Sequence, residues 1–185
     1  MKKYEIKGLM VPLSEYATVS EDATLYDAVV ALEKARSNFQ SDRYPHRAIL
    51  VYGRNNKIVG KVGLLDVLKS LEPKYSEMQN RPGARDLGFS KHFMKSMLEN
   101  FRLLDGAMEN LCKKAGGTRV GNIMVKPTEG ECVDIDASIN EAIHLLVMGH
   151  HQSLLVTDHD GDIVGILRLT DIFSVISQNM QACGL

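Results

Sequence analysis

The chain has no tryptophan, and only three of its 185 residues are cysteine. Cys112, Cys132 and Cys183 form no Cys-x-x-Cys pair and are odd in number, which argues against a disulfide framework or a thiolate zinc site. A reducing, cytoplasmic setting fits that usage. Charge of one sign is also missing: 22 basic against 23 acidic side chains leave a net charge of −1. Bulk attraction to nucleic acid or to an anionic membrane surface therefore has no basis. Apolar runs stop after a few residues, well short of the roughly 20 that span a bilayer. The opening MKKYEIKGLMVPLSEY has three lysines but lacks the apolar centre of a signal peptide. What remains is an ordinary globular composition, 44% hydrophobic and 24% charged, with enough chain for one domain or two small ones.

The strongest pattern present is a duplication. Residues 58–68 read IVGKVGLLDVL and residues 163–173 read IVGILRLTDIF. In both, Leu follows the Gly by four residues and Asp by six, with two apolar residues after the Asp. An apolar run that breaks at an Asp and resumes with helical spacing predicts strand, tight connection, helix. Gly60 and Gly165 permit a close backbone approach. Asp66 and Asp171 stand where a carboxylate can accept from unpaired N–H groups at a helix start, as an N-cap.

The repeat extends upstream. MVPLSEYATV from Met10 matches MVKPTEGECV from Met124, 114 residues later. Behind them, Leu25, Ala28, Val29 and Leu32 match Ile139, Ala142, Ile143 and Leu146, one apolar helix face in each copy. Ser138 with Glu141 predicts a capping box, and Thr24 with Asp27 a weaker one. Two short apolar runs from Ala48 and Ser153 then enter five-residue polar turns before the Ile-Val-Gly strands, as hairpins do. The turn at Asp158, Asp160 and Asp162 mimics the first ligands of a calcium loop, but Leu169 stands where its Glu belongs, so it reads as a hairpin. The glycines are 105 apart, so the first copy carries nine extra residues within 36–47.

Each unit thus reads strand, helix, strand, strand, helix, with boundaries at 6–72 and 120–179. A three-stranded sheet of that size is marginal alone and is expected to pack on its copy. Residues 73–119 lie between. There Phe93, Met97, Phe101, Leu104, Met108 and Leu111 recur with a mean spacing of 3.6 residues. That period predicts one helix over 90–115, roughly 37 Å long at 1.5 Å per residue, ended by Gly116-Gly117. Its wide apolar surface, including Met94, Leu98 and Leu103, predicts packing partly on its own module and partly against a second copy, hence a homodimer; the alternative is a helix folded back over the first unit of a monomer.

The ordered recurrence of the Met-Val…Pro…Val opening, the Ala-containing helix, the apolar strand before a polar hairpin and Gly-x-x-x-x-x-Asp resembles the cystathionine-β-synthase (CBS) domain, here as a tandem Bateman pair. The resemblance covers about 6–71 and 120–179. It implies an α+β fold of two β-α-β-β-α domains packed sheet to sheet about a pseudo-twofold axis. It further implies clefts that bind an adenosyl ligand (AMP, ADP, ATP or S-adenosylmethionine), and a role in sensing rather than catalysis.

Carried onto this chain, the resemblance gives Asp66 and Asp171 the ribose hydroxyls, a role as open as that of helix cap. Thr18, Val133, Gly60 and Gly165 complete the cleft positions it implies. Nucleotide-binding relatives usually have Thr or Ser three residues after the Gly, where this chain has Gly63 and Arg168. Arg168 is either a bidentate phosphate contact or an ion-paired surface residue. The insertion brings Arg43, His46 and Arg47 to the cleft side, a cluster that suits an anion or is simply solvated. His150-His151 lack partners at zinc spacing, and no acid–base or nucleophile pair emerges. On the resemblance, the chain reads as a regulatory ligand-binding module signalling to a separate effector protein. A dimerisation scaffold with degenerate, empty clefts is the alternative.

Overall fold

A computed structural model describes residues 4–37, 47–75, 90–106 and 108–183. A lead-in helix α1 (Ile6–Leu9) and a two-residue strand β1 (Val11–Pro12) precede the first unit. That unit runs β2 (Thr18–Ser20), α2 (Leu25–Ser37), β3 (Ala48–Tyr52), β4 (Ile58–Gly63) and α3 (Leu64–Ser70). The connecting region holds α4 (Lys91–Asn100) and α5 (Leu111–Gly117). A second lead-in helix, α6 (Val120–Ile123), opens the second unit of β5 (Cys132–Asp134), α7 (Ile139–Gly149), β6 (Ser153–Thr157), β7 (Ile163–Arg168) and α8 (Leu169–Ala182). Both units have the expected β-α-β-β-α order. In each, the first strand is parallel to the second and the second antiparallel to the third.

The middle strands are apolar at every inner position because both faces are covered. Ile49 and Val51 of β3 face Ala28 and Leu32 of α2, while Leu50 between them belongs to a third cluster with Leu155 and Ile166 of the other sheet. Leu154 and Val156 likewise face Ala142 and Leu146 of α7. Leu50 and Leu155 are repeat equivalents, so the sheets meet face to face across a pseudo-twofold axis. The two hairpin loops join across it as well, through Lys57 Nζ and Asp162 Oδ1 at 2.6 Å.

The lead-in segments cross between units, which the repeat alone does not announce. Val11 of β1 pairs antiparallel with Ile166 of β7, extending the second sheet to four strands. Val125 forms the matching bridge to Lys61 of β4. Ile6 is buried in the core of the second unit and Val120 in the core of the first. Gly60 and Gly165 make this crossing fit. A Cβ on Gly60 would lie 2.7 Å from the Met124 sulfur, and one on Gly165 would lie 2.7 Å from the Val11 carbonyl oxygen.

Three local expectations need correction. The single helix over 90–115 is two helices separated by turns, because Arg102, Leu104 and Gly106 have positive φ values of 48°, 64° and 66°. Asp105-Gly106 is a turn signal inside the apolar period. The turn is anchored by Glu72, whose Oε2 accepts from Leu104 N at 2.9 Å, and by Lys74, whose Nζ donates to Phe101 O at 2.9 Å. Leu103 is the residue it buries. Gly116 and Gly117 fall inside α5, not after it.

The second correction concerns capping. Thr24 and Asp27 form the complete reciprocal box, at 2.9 and 3.2 Å, whereas Ser138 supplies one bond, accepting from Glu141 N at 3.2 Å. The third concerns Asp66 and Asp171, which are not N-caps. They are the third residues of their helices and accept from the backbone N–H of Gly63 and Arg168, the residues that do cap.

Candidate functional site

A cavity of about 350 Å³ lies between the units, beside the starts of α3 and α8. The first unit contributes Arg47 and Ala48 at the start of β3, Lys61 and Gly63 of β4, and Leu64, Leu65 and Asp66 of α3. From the second come Glu131, the stretch from His150 to Ser153, Arg168 and Thr170. Tyr16, on the crossing segment, closes the floor.

At one end of the cavity Arg168 and Asp171 lock together. Arg168 Nε donates to Asp171 Oδ2 at 2.7 Å and its Nη2 to Oδ1 at 2.5 Å, with side chains only 7% and 14% exposed. A bidentate, charge-assisted pair of this kind is the strong form of a carboxylate contact. It engages both oxygens of Asp171, which does not line the cavity. Burial pushes the neighbouring Tyr16 phenol up to about 12, against the opposing pull of the Arg168 charge.

On the cavity wall a second pair ties one unit to the other. Lys61 Nζ donates to Glu131 Oε1 at 2.7 Å, and the side chains are 17% and 11% exposed. His151 Nδ1 lies 3.9 Å from the same oxygen. Burial pushes the Glu131 carboxyl up, but the Lys61 bond, the Thr128 N–H and the His151 ring together hold it below the usual range. The His151 ring folds back over Gly149, where a Cβ would stand 2.1 Å from its Nε2. His150 caps α7 in the left-handed region, at φ 51°.

Asp66, the repeat equivalent of Asp171, has no arginine in front of it. Gly63 occupies that place, and the bond from Gly63 N to Oδ2 at 2.9 Å is the one bond its carboxylate makes among the described residues. Asp66 lines the cavity wall beside Leu64 and Leu65.

Of the residues singled out from sequence, Asp66, Arg47 and Arg168 therefore meet in one cavity. Gly60 and Gly165 serve the strand crossing instead. Thr18 is an exposed residue on β2, and Val133 packs in the core of the second unit. His46 and Arg43 fall outside the described residues. Sequence reasoning missed Tyr16, Lys61, Glu131 and Gln152, and weighed the histidines only as metal ligands. Lys61 had a signal: a charge inside an apolar strand where the second copy has Ile166.

The CBS domain family model matches residues 6–73 and 120–178. No curated protein sequence matches the chain. Among solved structures, CBSX2 from Arabidopsis thaliana is similar at TM-score 0.62 and 19% identity, covering 97% of this chain and 99% of that one. A structure of CBSX2 in complex with AMP is similar at TM-score 0.59 and 19% identity, covering 96% and 98%. A CBS domain-containing protein from Bacillus anthracis str. Ames Ancestor gives TM-score 0.61 at 16% identity, covering 95% and 94%.

Proposed function

We propose, from the premise that the chain belongs to the CBS domain family and carries two copies of that domain, that it is a regulatory module binding an adenosyl-type ligand between them. The observation that carries this reading is the cavity whose lining brings Asp66 together with Arg47, Lys61 and Arg168. A nucleotide offers what such a site can hold. Its ribose hydroxyls can donate to Asp66, its phosphate can meet the cations, and its base can lie on Leu64 and Leu65. The AMP complex of CBSX2 supports the choice of ligand class.

The role proposed is regulatory, not catalytic. Ligand in the cavity would act on both units at once, because Lys61 and Glu131 on its wall belong to different units. That change would pass to a separate effector protein, with the chain acting as a homodimer in the cytoplasm. Among the described residues no helix is long and apolar enough to cross a membrane.

The alternative, a dimerisation scaffold with empty clefts, draws support from the Arg168–Asp171 lock, which fills one ligand position with the chain's own side chain. The Asp66 end opposes it. A thermal-shift panel of AMP, ADP, ATP, S-adenosylmethionine and NADH decides between them. A ligand that binds only the folded state stabilises it by about 2.7 kcal/mol at 100 times its dissociation constant. A panel without any shift at millimolar ligand supports the scaffold.

A further inference from the structure

The two ends of the cavity descend from one repeated pattern yet have become chemically unlike. Asp66 and Asp171 occupy the same place in their units and make the same backbone bond, at 2.9 and 3.2 Å. Three residues upstream the copies differ by a whole side chain, Gly63 against Arg168. Arg168 takes both oxygens of Asp171, and the pair is nearly buried. To reach Asp171, hydroxyl donors would have to displace a guanidinium that already makes two charge-assisted bonds in a shielded place. Separating such a pair leaves a buried charge uncompensated.

The Asp66 end has the opposite character. Among the described residues its carboxylate makes no bond beyond the one from Gly63 N, and it lines the cavity with the apolar Leu64 and Leu65. The cations of the cavity are also unequally committed. Lys61 is held by Glu131 and Arg168 by Asp171. The Arg47 guanidinium has no ion-pair partner among the described residues. Hydroxyl acceptor, apolar wall and uncommitted cation thus all lie on the first unit's side.

We infer that the cavity takes one ligand per chain in one orientation, a nucleotide with vicinal hydroxyls on Asp66 and its anionic group toward Arg47, and that Arg168 withholds the equivalent place at Asp171. The inference rests on the adenosyl-ligand reading above and adds which of two related places is used. It converts an inherited pair of sites into a single site, with Arg168 acting as a built-in occupant of the other.

Isothermal titration of the full chain with AMP tests it. The wild type is expected to bind one AMP per chain. Asp66→Asn keeps an oxygen for the Gly63 N–H but loses the charge facing the hydroxyls, and is expected to bind at least tenfold more weakly. 2′-Deoxy-AMP is expected to lose a similar factor on the wild type. Arg168→Thr frees Asp171 while leaving its backbone bond in place, and is expected to raise the stoichiometry to two.

Two equal sites in the wild type, or unchanged affinity in a folded Asp66→Asn chain, overturns the inference while leaving the adenosyl reading standing. A stoichiometry of one in folded Arg168→Thr overturns the part assigned to Arg168. Absence of heat with AMP, ATP and S-adenosylmethionine alike overturns both readings together.

Discussion

Ile6 and Val120 stand at the same place in the repeat, 114 residues apart, and each is fully buried in the core of the other's unit. The two CBS domains are therefore not separable beads. Each borrows a side chain and a strand edge from the segment that leads into its partner, and the cavity lies between the sheets so joined.

That exchange predicts one cooperative unfolding transition for both units. Ile6→Ala and Val120→Ala should each lower a single urea midpoint followed by far-UV circular dichroism. The cost for Ile6→Ala is about 3 kcal/mol, as for other deletions of a buried isoleucine, and less for the smaller Val120. Two resolved transitions, with each substitution moving only one, would show that the units unfold independently.

The Lys61–Glu131 pair should behave as a buried connector. Lys61→Met leaves Glu131 unpaired and should cost about 2–3 kcal/mol, while Lys61→Met with Glu131→Leu should recover most of it. The pH dependence has a definite sign. The folded-state value of Glu131 is lowered from 4.5, so its contribution is full above that value and is lost as pH falls through the folded value. Wild type should lose stability more steeply below about pH 4.5 than the double variant does. Parallel curves in urea titrations would count against the connector role.

Two glycines of the connecting region should respond in opposite directions. Gly106 sits at φ 66° in the turn that divides α4 from α5, and Gly106→Ala should cost about 1 kcal/mol. Gly116 lies within α5 with open space around it, so Gly116→Ala should gain roughly 0.5–1 kcal/mol. Equal effects of the two in chemical denaturation would argue for the continuous helix after all.

Apolar side chains of that region stand exposed among the described residues. Phe93, Met94, Leu98, Phe101, Leu104 and Met108 are all exposed, as are Leu65, Leu68 and Phe173 on the domain helices. A homodimer should bury one of these groups. Light scattering is expected to give a dimer for the wild type and a monomer for Phe101→Glu with Met108→Glu. A monomeric wild type contradicts the dimer, and a dimeric double variant moves the interface to the domain helices.

The repeat made the fold legible because each copy's pattern is local. The Leu25, Ala28 and Leu32 face and the Leu50 strand could be read within a few residues. Gly60 and Gly165 were legible as close approaches, but what approaches them comes from the other repeat, Met124 and Val11, and no local period encodes that. The central helix misled for a physical reason. Phe93 to Leu111 kept a 3.6-residue spacing by register, while the backbone turned at Arg102, Leu104 and Gly106. Within the site, Arg168 stood out as a departure from the family pattern, yet its partner was its own Asp171, three residues on. Lys61 stood out as a charge in an apolar strand, but its partner Glu131 lies 70 residues away and nothing local points to it.

The proposed adenosyl ligand sits between Asp66 and the cations of the interdomain cavity. Amide hydrogen exchange with and without saturating AMP tests it most directly, because it reports both binding and its place. Slower exchange is expected for amides at 61–66 and 150–153, with little change at the Asp158–Asp162 hairpin. Unchanged exchange at 61–66 under conditions where AMP binds, or protection confined to other surfaces, would contradict it.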